Sequence, residues 1–68
     1  MSYVIYFTGG IGYWTGKYYL DGEHSVPRCK SYITPEVKRY KTEQRAGLAA
    51  KELCRLFGMG DFRVEDIE

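Results

Sequence analysis

The sequence predicts an α+β domain: an antiparallel sheet of three or four strands with one main helix packed on one face, in the order β-β-(β)-α-β. Three observations carry that prediction. Two Tyr-rich segments flank Gly9-Gly10-Ile11-Gly12 and read as a hairpin. Only one long stretch, Glu43 to Phe57, carries a helical apolar stripe. Finally, Phe62-Arg63-Val64-Glu65 alternates as a short closing strand. At 68 residues the chain is expected to form a single small domain, residues 1–68.

Residues 2 to 8 read as the first strand, apolar on both faces and therefore central. Gly9 to Gly12 form the turn, where tight loops need positive φ. Tyr13 to Leu20 is the returning strand, and Gly16 within it marks a bulge or a close approach. Asp21-Gly22 is a strong turn signal, after which a short third strand is expected around Arg28 to Ile33, with Pro27 setting it at an edge. Thr34-Pro35-Glu36 has the form of a cap followed by proline at a first helical position, predicting one helical turn over Pro35 to Lys38. Thr42 caps the main helix. Its stripe is Ala46, Ala49, Ala50, Leu53, Cys54 and Phe57, and Gly58 ends it.

One helix is about 10 Å across and strands lie about 4.8 Å apart, so a single helix shields roughly two strands on one face and leaves the other face open. Alternation places Tyr3, Ile5, Phe7, Trp14, Tyr18 and Leu20 under the helix. Val4, Tyr6, Thr8, Tyr13, Thr15, Lys17 and Tyr19 then face out. That outer set is suited to contact rather than chemistry.

The net charge of +1 hides an uneven distribution. Residues 1 to 26 sum to −1, residues 27 to 55 to +5 and residues 56 to 68 to −3. Lys38, Arg39, Lys41 and Arg45 form the densest positive cluster, with Tyr40 among them, an arrangement that suits phosphate neutralisation with ring stacking. The hairpin itself offers only Lys17, and the acidic tail opposes the basic middle.

The run Arg39-Tyr40-Lys41-Thr42-Glu43-Gln44-Arg45-Ala46 through Leu53, followed by Phe62-Arg63-Val64-Glu65, resembles short uncharacterised proteins of phages and mobile elements. The segment Gly12 to Leu53 also looks like the arm-type DNA-binding domain of tyrosine integrases, whose three-stranded sheet backed by a helix enters the major groove. The first resemblance implies an accessory protein acting on a partner. The second implies DNA as the ligand.

Catalysis is not expected. The single histidine, His24, stands near no nucleophile in a recognisable spacing, and the carboxylates gather at one end of the sequence. Gly9 to Gly12 leads into a strand, so no helix N-terminus stands behind it to hold a phosphate. Cys29 and Cys54 lack the paired short spacing of a zinc site, so no metal and no cofactor are expected. Cys54 falls on the helical stripe and Cys29 on a basic segment, so two reduced thiols are expected. No apolar stretch approaches the roughly 18 residues that cross a bilayer. A cytoplasmic location without membrane contact is the expectation. The leading reading is a non-catalytic binding protein whose partner is another protein or its own copy, met through the open sheet face with its Tyr6, Tyr13 and Tyr19. The alternative is nucleic-acid binding through Lys17, Lys38, Arg39, Lys41 and Arg45 with the tyrosines as stacking platforms.

Overall fold

The computed structural model describes residues 2–67. Four strands, β1 (Tyr3–Phe7), β2 (Gly12–Asp21), β3 (His24–Lys30) and β4 (Phe62–Asp66), form one antiparallel sheet in the order β3-β2-β1-β4. A single helix, α1 (Glu43–Phe57), separates β3 from β4 in sequence. This is the predicted α+β arrangement, with β1 central as its two apolar faces require.

The helix starts and stops where its caps dictate. The Thr42 hydroxyl accepts from the Arg45 N–H at 3.1 Å, and Gly58 takes the left-handed conformation at φ 68°. Its stripe packs on a core cluster of Ile5, Phe7, Trp14, Ala46 and Ala50, with Tyr3, Cys29, Leu53, Phe57, Phe62 and Val64 around the margin. Ala46 and Ala50 are fully buried, so the helix backbone lies close to the sheet.

Three expectations change. The third strand is His24–Lys30 rather than Arg28 to Ile33. The turn at Gly22 returns the chain straight into pairing, and Pro27 is tolerated because β3 is an edge strand. The predicted helical turn over Pro35 to Lys38 is a single hydrogen-bonded turn, Val37 N–H to Thr34 C=O at 3.1 Å. It stops there because the Lys38 N–H already pairs with Trp14 C=O at 2.9 Å. Third, Tyr18 and Leu20 do not lie under the helix. They remain 59% and 70% exposed. A 15-residue helix spans about 22 Å while a 10-residue strand spans about 33 Å, so the distal part of β2 outruns it.

Between β1 and β2 the sheet is wedged apart. Those strands pair only at Tyr6 with Tyr13 and Phe7 with Gly12. Beyond that point the segment 37–40 enters. Tyr40 exchanges both backbone hydrogen bonds with Tyr3, at 2.9 and 2.8 Å, and Lys38 takes the Trp14 carbonyl. Opposite the wedge, β2 bulges between Trp14 and Tyr18. Gly16 supplies this bulge at φ 85°, and a Cβ there would meet the Lys38 side chain at 3.4 Å. The remainder of β2 runs on with β3 as a projecting arm, and the molecule is elongated, 37 × 21 × 18 Å.

Candidate binding surface

On the outer face one register row crosses all four strands. Arg63 of β4 is opposite Tyr6 of β1, Tyr6 is opposite Tyr13 of β2, and Tyr13 is opposite Lys30 of β3. The two rings meet edge to face with centroids 4.9 Å apart. The Arg63 guanidinium lies 4.4 Å from the Tyr6 centroid, and its Nε donates to Glu65 at 2.6 Å. Glu65 also accepts from the Tyr13 hydroxyl at 2.9 Å. Burial first, and then the Glu65 carboxylate, push the Tyr13 phenol above its usual range. Tyr6 and Tyr13 are therefore half-buried members of a closed network.

Val4 had been expected on this open face, and alternation does put it there. It is nonetheless fully buried and lies outside the helix-side cluster, as does Val37. The 34–38 segment explains the change: pinned at Lys38, it brings Glu36 over the sheet, where Glu36 pairs with Lys30 at 3.4 Å. Part of the predicted open face is thus covered by the chain's own connector.

Beside that connector runs a groove of about 600 Å³, lined by Thr15, Lys17, Tyr19, Arg28, Lys30 and Glu36. Tyr19 is 44% exposed, and the Arg28 guanidinium lies 5.1 Å from its ring centroid. Thr15 donates its hydroxyl to the Arg28 carbonyl at 2.7 Å, fixing the strands where β2 leaves its bulge.

The basic cluster predicted near the helix start is dispersed. Lys38 leans over the Tyr40 ring at 5.9 Å. Arg39 turns back to donate to the carbonyls of Thr34 and Val37, at 3.3 and 2.9 Å, so its charge closes the connector turn. Lys41 is exposed, and Arg45 is exposed within the first turns of α1. Tyr40 packs against the core, where burial raises its phenol. The Tyr40 ring, half-buried and overlain by Lys38, is thus already engaged within the chain.

The arm presents the opposite picture. Tyr18, Tyr19 and Leu20 are consecutive and all exposed. Tyr18 touches Phe57 at 5.9 Å between centroids, placing it, and by alternation Leu20, on the helix side; Tyr19 lies on the outer side. Tyr18 and Leu20, expected under the helix, are thus surface residues. Arg28, Lys30, Arg63 and Glu65 join the outer face as well, and for Arg63 and Glu65 the signal is their alternation with the inward Phe62 and Val64.

Cys29 and Cys54 are both free and partly buried. Cys29 packs at the core margin, not on a polar surface, and burial pushes its thiol up to about 11. Burial and then Asp61 raise the Cys54 thiol as well. Among the described residues no group of His, Cys, Asp and Glu is placed to hold a metal ion, and no helix is long and apolar enough to cross a membrane. Comparison with protein-family models, curated proteins and solved structures finds no match to this chain.

Proposed function

We propose that this chain is a small non-catalytic binding protein that acts by protein–protein contact, and that its principal contact is the projecting arm of β2 and β3. The observation carrying this reading is the run Tyr18-Tyr19-Leu20, exposed on both faces of a hairpin that runs on past Phe57 at the end of the helix. Tyr is enriched at interfaces because it is large, rigid and able to hydrogen-bond at its tip. The rest of the Tyr-rich sheet acts as the rigid base that aims the arm. An accessory factor of a phage or mobile element, cytoplasmic and directed at another protein, fits the resemblance drawn from the sequence.

The alternative, nucleic-acid binding, draws support from the cations Lys17, Arg28 and Lys30 beside one another on the outer face. Against it, the Tyr6 ring is capped by Arg63 and the Tyr13 hydroxyl is tied to Glu65, so neither offers a free stacking platform.

Site-specific photo-cross-linking inside the native host tests the choice. With a benzophenone side chain replacing Tyr19, a discrete protein adduct is expected that is absent when the same group replaces Leu48 on the helix. Nucleic-acid adducts alone, or equal labelling from both positions, would overturn the proposal.

A further inference from the structure

The groove beside the arm carries a more specific assignment, which rests on the protein-contact reading. We infer that it is a carboxylate-binding site for an extended acidic segment of a protein partner, and that Glu36 is its internal occupant in the free protein.

The charge and spacing of the walls point to that ligand. Lys17, Arg28 and Lys30 line the groove against one carboxylate, Glu36. Arg28 and Lys30 are two residues apart on β3, and strand residues two apart share a face about 6.5–7 Å from one another. Acidic side chains at alternate positions of an extended peptide have the same repeat. The Arg28 guanidinium lies over the Tyr19 ring at 5.1 Å, and a guanidinium beside such a ring can meet a carboxylate bidentately.

Glu36 shows which anion the groove accepts. Its carboxylate lies 3.4 Å from Lys30 Nζ, with the two side chains 70% and 42% exposed, so the pair is weak and displaceable. The backbone beneath it is fixed separately: Glu36 N–H donates to Thr34 Oγ1 at 3.2 Å, and Val37 is buried. The carboxylate can therefore swing clear without disturbing the fold. A phosphate chain is less well served. The Thr15 hydroxyl is spent on the Arg28 carbonyl, and neighbouring Tyr6 and Tyr13 are closed to base stacking.

The test is an NMR titration of the isotopically labelled full chain with a hexapeptide of alternating glutamate and valine, run beside its lysine counterpart and beside oligothymidylate. Amide shifts are expected at Lys17, Tyr19, Arg28 and Lys30 with the acidic peptide and not with the lysine one. Arg28→Ala together with Lys30→Ala should weaken binding about five-fold or more, the scale of one or two exposed ion pairs. Glu36→Gln should strengthen it, because the internal competitor is gone. A general basic surface would not distinguish that residue from other carboxylates, so Glu52→Gln, in an exposed pair on the helix, serves as the control and should leave affinity unchanged. Weaker or unchanged affinity in Glu36→Gln, shifts centred outside the groove, or tighter binding of oligothymidylate than of the peptide at these amides would each overturn the assignment. Tyr18→Ala with Leu20→Ala should leave the titration unaltered, which separates failure of the groove from failure of the arm as the principal contact.

Discussion

Tyr6 and Arg63 are paired across β1 and β4, and the guanidinium of one covers the ring of the other at 4.4 Å. The contact joins the first strand to the last. Through Glu65, which Arg63 orients and Tyr13 donates to, it continues into β2, so three strands are tied on the face the helix does not cover.

Removing the Tyr13 hydroxyl tests that tie. Tyr13→Phe leaves the ring packed on Tyr6 but deletes the bond to Glu65, a loss of about 1 kcal/mol. Arg63→Ala should cost about 0.5–1 kcal/mol. Because Arg63 also positions Glu65, the double variant should lose less than the sum, a coupling that urea denaturation of the four proteins will read.

Leu53 and Leu48 test the phase of the helix. Leu53 packs against the core cluster, whereas Leu48 is 60% exposed. Leu53→Ala should cost about 2 kcal/mol or more, enough to threaten so small a domain, while Leu48→Ala should fall within about 0.5 kcal/mol of the parent. Thermal melts in the opposite order would contradict the packing.

Two glycines make a paired test of backbone conformation. Gly12 sits at φ 111°, and a Cβ there would approach the Lys30 carbonyl oxygen to 2.5 Å, so Gly12→Ala should destabilise by about 2 kcal/mol or more. Gly47 lies within α1 with open space around it, so Gly47→Ala should stabilise by about 0.5–1 kcal/mol. Chemical denaturation midpoints will give both signs.

The half-buried thiol of Cys29 sets an alkaline limit. The ordinary cysteine value is 9.0 and Cys29 is pushed up to about 11, so the folded state favours the protonated form. The stability this contributes is fully present below about pH 9 and is lost as pH rises through about 11. Tyr13 and Tyr40, also raised, act in the same direction higher in that window. At pH 8 only about one Cys29 in a thousand is thiolate, so alkylation at native conditions should be slow and should accelerate steeply towards pH 11. In Cys29→Ala the fall in melting temperature between pH 9 and 11 should be shallower.

Local patterns carried most of the fold. The caps Thr42 and Gly58 and the stripe between them placed the helix to the residue, because each is a short-range signal. What escaped was the outcome of competition between distant segments. Nothing local says that residues 37–40 will take the Trp14 carbonyl and the Tyr3 backbone, yet this wedge bulges β2 at Gly16, sends the arm past the helix and exposes Tyr18 and Leu20. Lys17 and Tyr19 lie beyond Gly16 and line the groove together, while alternation puts Tyr6 and Tyr13 on one face, where they share a register row. Their neighbours Arg63 and Lys30 arrive only through pairing across the sheet, which the sequence does not number.

The order β3-β2-β1-β4 also bears on how the chain reaches this state during synthesis. β1 emerges first and, like β2, pairs on both edges, but β4, which meets it at Tyr3 to Asp66 and four further positions, emerges last. Until then β1 holds only two paired positions with β2, and its free edge has no occupant. On the ribosome the nascent chain can close β2 on β3, whose separation is short, but its apolar core strand must wait. Completion of the sheet is thus a late event, and a ribosome-stalled chain lacking Phe62 to Asp66 will present its tyrosines unsheltered to chaperones and proteases.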